Sequence, residues 1–423
     1  MMKSEVQLLS YNSDPIEYLK KWVECHNELA SCGFTWASLM ENDEWNQYMS
    51  LDVLQVKSSV VQEILEDTRN FTNLVQATYR LVMKHPEYFS MLGLPVDTWE
   101  VSSVEWLSIF SYFCRYDIIR TKNGNKFIEI NSDTPTGYVE SSIANRKLCE
   151  LHGVASANVL EDCITKAWEL IISDYQIPEN ETIFFTSLGW HDEDRQDTLF
   201  KLSNCPHPNK EYVAIEEIIV SEEGIFTPDG RKIKFLYRLY PIEFFIEDQN
   251  VVGESVGLTL LEHVTEGNVH LINPLSAFVT QSKALLVVMW EILNNKPHLY
   301  TKEEQEWVRR YVPRSYFSNE HFENEDYVVK PLLGREGGGV TIINNGDVVM
   351  EDRTPEYYNQ KKIYQEYLEM PELTIQTWDG PYTGKLLIGS YMVGGETAGL
   401  FLRVGEKITG NLSMFVGFSE MEG

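Results

Sequence analysis

The sequence predicts a mixed α/β protein, and three patterns carry that expectation. Residues from about 15 to 110 repeat apolar positions at helical spacing. Residues 111 to 275 alternate short β-like runs with helical ones, and from Tyr327 onward strands dominate. At 423 residues the chain exceeds one ordinary core, so two or three units are expected, or one large unit with a helical appendage. The expected divisions are a helical N-terminal region (1–110), an α/β region opened by a polar hairpin (111–275) and a strand-rich region with a glycine-rich loop (276–423).

The helical part starts at Asp14-Pro15 and runs through Tyr18, Leu19, Trp22 and Val23. A second helical run carries Ile64, Leu65, Phe71, Leu74, Val75, Tyr79 and Val82 and ends at His85-Pro86. A hairpin, "RYDIIRTKNGNKFIEIN", comes next, then a helix over about Ser141–Tyr175. Strands are expected at Thr182–Leu188, Tyr212–Val220 and, after an Asp229-Gly230 turn, Lys232–Pro241. "SAFVTQSKALLVVMWEILNN" reads as one amphipathic helix with Leu285, Leu286, Met289 and Leu293 on a stripe. The closing strands are "YVVKPLL", "GVTII", "KIYQEYL", "LLIGSYMVGG" and "GLFLRVG".

Sixty-four acids against 35 Lys plus Arg leave a net charge of −29. Such a surface repels phosphate backbones and anionic lipid, so no nucleic-acid or membrane partner is expected, while a cationic substrate suits it. None of the six cysteines forms CxxC, and no zinc spacing occurs. The first residues lack the apolar core of a signal peptide, and the longest apolar run is "ALLVVMW". A cytoplasmic location is therefore expected. Oligomeric state leaves no mark in the sequence.

The hairpin places Arg115 and Asp117 on one face of its first strand, and Glu129 and Asn131 on one face of its second. A two-residue Asn123-Gly124 turn would pair Asp117 with Ile130 and separate the acids. A three-residue loop, Lys122-Asn123-Gly124, would pair Asp117 with Glu129 and Arg115 with Asn131, with Gly124 left-handed. Opposed acids are destabilising unless a cation lies between them. Asp, Glu and Asn are hard oxygen donors of the kind that hold Mg²⁺ on nucleotide phosphates. The same residues also read as an ordinary amphipathic hairpin with one pair in solvent.

"YVVKPLLGREGGGVTI" puts Lys330 at a strand end before a loop containing Gly334, Gly337 and Gly338. Backbone N–H groups in such a loop cover phosphates, and Lys330 with the loop arginine would add charge. No GK[ST] follows, and the next element is a strand, so neither a Walker nor a Rossmann motif applies. Lys283 near a helix start opposes the helix dipole, a penalty that a bound anion would reverse. Gln365, Glu366, Tyr367 and Leu368 form either an adenine-binding hinge or a plain strand end. Arg403 leaves the face shared by Leu400, Leu402 and Val404. In "GWHDEDRQDT", the acids suit a helix first turn, with a metal cluster of His191, Asp192 and Asp194 as the alternative. GxSxG, HExxH and local Cys–His pairs are missing, which leaves hydrolytic triads and zincins without support.

These segments, in their order from about Asp97 onward, resemble the glutathionylspermidine synthase family, whose synthetase domain is a permuted ATP-grasp fold. The likeness rests on "RYDII…FIEINSDTPTGYVE", "LYRLYPIEFF", "INPLSAFVTQSKALLVVMWEIL", "YVVKPLLGREGGGV", "IYQEYL" and "GSYMVGGETAGLFLRVGEKITGN". It implies Mg²⁺ ligands at Asp117, Glu129 and Asn131. It further implies a catalytic arginine at Arg115, a late active-site arginine at Arg403, ATP lysines at Lys283 and Lys330, and a hinge at Gln365–Leu368. Residues 276–423 become the nucleotide-binding region with a lid loop, and 111–275 a pre-ATP-grasp-like subdomain. The implied reaction is ATP-dependent amide formation through an acyl phosphate, from a small peptide or amino-acid carboxylate and an amine. This stretch has no room for the amidase domain of bifunctional members, so the monofunctional branch is expected. A phosphotransferase, or a nucleotide-binding protein without turnover, uses the same groups and stands as the alternative.

Overall fold

A computed structural model describes residues 5–422 apart from 13, 42 and 104–108; the helical expectation for the last of these lies outside the described residues. The frame is an eight-stranded sheet. Its spatial order is Val6–Leu9, Met49–Lys57, Met414–Met421, Glu396–Gly405, Gly380–Val393, Phe113–Thr121 and Gly124–Asn131, with Glu372–Thr377 also paired to Gly380–Val393. Neighbours are antiparallel except Met49–Lys57 beside Met414–Met421. Residues 372–421 thus share a sheet with residues 113–131.

One face of this sheet is covered by the helix Ser58–Lys84, whose Ile64, Phe71, Leu74 and Val75 are buried at helical spacing. Phe71 stacks on Phe127 with ring centroids 4.2 Å apart. Two threonines knit helix to sheet: Thr72 donates to the Tyr116 hydroxyl at 3.0 Å, and the Thr68 and Ser390 hydroxyls lie 2.8 Å apart. With this face filled, the polar residues of the same strands are left on the other.

A four-stranded parallel sheet lies apart, in the order His270–Ile272, Phe235–Leu239, Ile183–Ser187 and Lys210–Tyr212. The helices Asp192–Ser203 and Val256–Thr265 are its crossovers. A third, antiparallel sheet runs Ser315–Tyr316, Lys362–Glu366, Tyr327–Pro331, Thr341–Asn344 and Asp347–Glu351.

Several expectations change. The N-terminal region is not wholly helical: Val6–Leu9, Ser38–Glu41, Glu44–Gln47 and Met49–Lys57 are strands, and the alternation Met49, Leu51, Val53 is a period of two. The helix expected over Ser141–Tyr175 is a π turn, Glu140–Ala144, then Asn145–Leu151 and Leu160–Asp174. Tyr212–Val220 is interrupted by a 3₁₀ turn at Ile215–Glu217. The expected single helix near 275–295 is two, Leu275–Gln281 and Ala284–Asn295, bent by 74°. Ser282 makes the break: its backbone is extended, and its hydroxyl donates to the Leu92 carbonyl at 2.7 Å. Both helices are buried on nearly all sides. Among the described residues no single helix is long and apolar enough to cross a membrane.

A buried ion pair links the parallel sheet to the segment that follows the last strand of the large sheet. Arg238, on Phe235–Leu239, donates from Nη1 and Nη2 to the two Asp133 oxygens at 3.1 and 2.5 Å, with both side chains fully buried. Removing one partner strands a charge away from water. Asp133→Asn should therefore lower stability by about 3–5 kcal/mol, measured by urea denaturation followed through tryptophan fluorescence.

Candidate active site

The hairpin pairs Arg115 with Asn131 and Asp117 with Glu129. The loop that produces this register is not the expected three residues. Thr121 pairs with Gly124 around Lys122-Asn123, and the register then slips by one between Ile118 and Asp117. Ile128 is the extra residue, a β-bulge. Gly124 has φ +102°, the positive value expected of it. The bulge has a packing cause: Phe127 and Ile130 are both buried in the core beneath the long helix, and residues three apart share a strand face only across an irregularity. It also frees the Ile128 carbonyl, which accepts from Lys330 Nζ at 3.3 Å.

Register then extends the site across two more strands. Asp117 pairs with Gly389, and Gly389 with Phe401; Arg115 pairs with Tyr391, and Leu387 with Arg403. All these side chains share the sheet face away from the long helix. Asp117 Oδ1 accepts from Arg115 Nε at 3.1 Å and Oδ2 from Arg403 Nη2 at 3.0 Å. Both guanidiniums lie beside the Phe401 ring, 5.4 and 5.2 Å from its centroid. Gly389 makes room for them: a Cβ there would meet Arg115 Cδ at 3.0 Å and Phe401 Cβ at 3.1 Å. Burial alone would push the Asp117 carboxyl up, but Arg115, Arg403 and Lys283 outweigh it and hold it below its ordinary value.

Lys283 stands at the N-cap of Ala284–Asn295, just past the helix break. Its Nζ donates to Glu129 Oε1 at 2.8 Å and to the Gly334 carbonyl at 2.6 Å. Lys330 donates to Gln365 Oε1 at 2.7 Å, and Gln365 Nε2 donates to the Ser315 hydroxyl at 3.1 Å. Gln365 thus acts on the lysine, a role the hinge expectation did not include. Burial lowers Lys330 to about 8, with Glu129 opposing and Lys283 reinforcing.

Asp117, Glu129 and Asn131 fit Mg²⁺. They are hard oxygen donors on neighbouring strands, too few for an all-protein cage and so leaving positions for phosphate oxygens and water. Among the described residues, no three or more His, Cys, Asp or Glu side chains form a metal cage. Asn131 Nδ2 is buried with no hydrogen-bond partner among the described residues, and half a turn of the amide presents its oxygen there.

These groups line a cavity of about 700 Å³. Its lining includes apolar Val328, Ile342, Leu368, Met370 and Leu387 together with Glu366 and Tyr367, and the polar set Lys283, Lys330, Gly334, Gly337 and Gly338. Tyr48, Trp190, Glu193, Asp194 and Phe244 line it too. Here the acids of "GWHDEDRQDT" occupy the first turn of Asp192–Ser203, with His191 as N-cap accepting from the Asp194 amide at 3.4 Å. Capping, not a metal cluster, is the geometry found. Behind Tyr48, buried Glu140 accepts from Trp36 Nε1 and the Tyr48 hydroxyl at 3.0 and 2.9 Å; its Oε2 has no partner among the described residues. Sequence reasoning did not single out Glu140, Glu193, Trp190 or Tyr240. A usable signal existed: Trp190 and Tyr240 follow the carboxyl ends of parallel strands, where α/β sheets bind ligands.

A family model described as glutathionylspermidine synthase preATP-grasp matches residues 17–419. The chain belongs to this family. Among curated relatives, a Haemophilus influenzae protein assigned as an acid–amine ligase is 26% identical over 316 residues, covering 71% of this chain and 72% of that protein. The bifunctional glutathionylspermidine synthetase/amidase of Escherichia coli is 19% identical over 382 residues, 84% of this chain and 56% of the enzyme. The chain thus aligns with little more than half of that bifunctional relative. Among solved structures, a glutathione synthetase-like effector of Globodera pallida superposes with a TM-score of 0.58 at 12% identity, over 97% of this chain and 98% of that one. The fold is accordingly the mixed α/β fold of glutathione synthetase-like ATP-grasp proteins.

Gly389→Val fills the lane between Arg115 and Phe401. It should release Arg403 from Asp117 and cut nucleotide-dependent turnover by about 100-fold while leaving the far-UV circular dichroism unchanged. Lys330 yields a pH dependence. Its charge is present below about pH 8 and lost above it. If nucleotide needs the charged form, the dissociation constant for ATP should rise about fivefold between pH 8 and pH 9, read by calorimetry, and Lys330→Met should flatten that rise.

Proposed function

We propose that the chain is an ATP- and Mg²⁺-dependent carbon–nitrogen ligase joining a small peptide or amino-acid carboxylate to an amine. The observation that carries this reading is the row Asn131, Glu129, Asp117, Arg115 and Arg403 on one sheet face, beside two buried lysines and lining one cavity. The apolar lining residues, with Glu366–Leu368, suit a nucleotide base. Lys283 and Lys330 suit its phosphates, each exchanging a protein oxygen for a phosphate oxygen. Mg²⁺ held by Asp117, Glu129 and Asn131 would neutralise charge on the triphosphate.

Arg115 and Arg403 would neutralise the charge that develops as a substrate carboxylate oxygen bonds to the γ-phosphorus and ADP departs. The amine nitrogen then bonds to the acyl carbon, the acyl–oxygen bond to phosphate breaks, and the nitrogen loses a proton. The acidic lining residues Glu193 and Asp194 suit a cationic amine. Burial, then Glu140 and Asp194, push the Glu193 carboxyl well above the usual range, and a cation would relieve that crowding. Exposed Trp190 adds an aromatic face. No protein nucleophile is needed, because ATP supplies the activation and the chain supplies position and charge.

Purified protein with Mg·ATP should release phosphate steadily only when both an acid and an amine are supplied, with a condensed product visible by mass spectrometry. Phosphoryl transfer without the acid would make the chain a kinase, and no turnover with metabolite extract would make it a binding protein. Asp117→Ala and Glu129→Ala should each lower turnover by at least about 100-fold with the fold intact; wild-type turnover in either refutes the metal assignment.

A further inference from the structure

The glycine-rich loop was expected to set its arginine beside phosphate. Arg335 is instead bound to a carboxylate and a hydroxyl of the chain itself. Its Nε and Nη2 donate to Glu243 Oε1 at 2.9 and 2.6 Å, and its Nη1 donates to the Thr134 hydroxyl at 2.9 Å. The guanidinium also lies 5.9 Å from the Phe244 ring centroid. We propose that Arg335 is a positioning residue that latches the glycine-rich loop onto the α/β region and the Ser132–Thr136 segment, holding the loop closed over the cavity before nucleotide binds.

Both anchors belong to one rigid platform. Asp133 is bound to Arg238 on the strand Phe235–Leu239, and Glu243 stands on the helix Ile242–Phe245 that follows that strand. Gln281 Oε1 accepts from the amides of Ser132 and Asp133 at 2.9 and 3.1 Å, and Asn273 Nδ2 donates to both their carbonyls at 3.0 Å. Thr134 is therefore presented by a segment already fixed on both sides, the condition for a docking contact of defined geometry.

The loop is built to reach that platform. Gly338 N donates to the Arg335 carbonyl at 2.7 Å, and Gly339 N to Asp352 Oδ1 at 2.8 Å. Gly337, at φ +75°, lies under Ile408 and Thr409, where a Cβ would meet their atoms at 2.7 and 2.8 Å. Gly334 offers its carbonyl to Lys283. One loop thus touches a phosphate-type lysine at its start and the α/β platform at its next residue. Nucleotide must displace the first contact; the second can persist and keep water out. An unlatched loop would admit water to the transferred phosphoryl group, so that ATP and water give ADP and phosphate with no amide formed.

The consequence for turnover rests on the ligase reading, whereas the latch does not. Hydrogen exchange on the full chain without nucleotide reads the latch directly. In Glu243→Gln and in Arg335→Lys, exchange over residues 333–340 should rise about tenfold or more, and the reversal Arg335→Glu with Glu243→Arg should restore protection. Exchange within twofold of wild type in both single variants overturns the proposal. A rise spread through the parallel sheet that the reversal does not rescue also overturns it, as the mark of a merely structural pair. With Mg·ATP alone as the probe, Glu243→Gln should hydrolyse ATP at least about fivefold faster than wild type. If no protein hydrolyses or binds ATP, the ligase reading fails and the exchange result still decides the latch.

Discussion

Asp117 is a carboxylate on the next-to-last strand of the large sheet, screened from water, with a second carboxylate opposite it on the edge strand. A buried charge is tolerated only when partners surround it, and much of the site follows from that demand. Arg115 reaches it along its own strand, and Arg403 reaches it from two strands away. That second approach exists because Gly389 leaves the intervening strand bare. Lys283 meets the opposing Glu129. In this state each acid is matched by a cation of the chain, so ligand binding is an exchange of partners and not the filling of an unsatisfied hole. Such exchange keeps the electrostatic penalty small in both states and leaves side chains already oriented.

The same economy of partners shapes the join between sheets. Asn273 and Gln281 take up the backbone groups of residues 132 and 133, while Asp133 takes up Arg238. The segment after Asn131 would otherwise be a loop carrying buried, unpaired amides. Satisfying them makes it rigid, and rigidity lets Thr134 serve as an abutment for the glycine-rich loop.

Much of this was legible locally. Residues two apart on a strand share a face, so Arg115 with Asp117 and Glu129 with Asn131 could be grouped from spacing alone. Opposing the two acids needed the register, and there the reasoning reached the right pairing through the wrong loop. The bulge at Ile128 was encoded in the three-residue gap between Phe127 and Ile130, a core requirement that the turn signal at Asn123-Gly124 obscured. The strand Met49–Lys57 was hidden inside a helical stretch because its alternation was short and its neighbours had helical period. Lys283 reads as an awkward lysine at a helix start; only the break at Ser282 turns it towards Glu129.

By itself, the sequence determined the mixed α/β class, the polar hairpin, the glycine-rich loop with its lysine, and the family likeness, since all of these lie in contiguous residues and their short-range periodicity. Tertiary structure alone decided which charges meet. Arg403 and Asp117 are joined across a glycine 272 positions after Asp117 (Gly389), Arg335 binds Glu243, and Glu140 lies behind Tyr48. Such pairings depend on sheet order and register, and no local pattern in a chain records which distant strand will lie beside it.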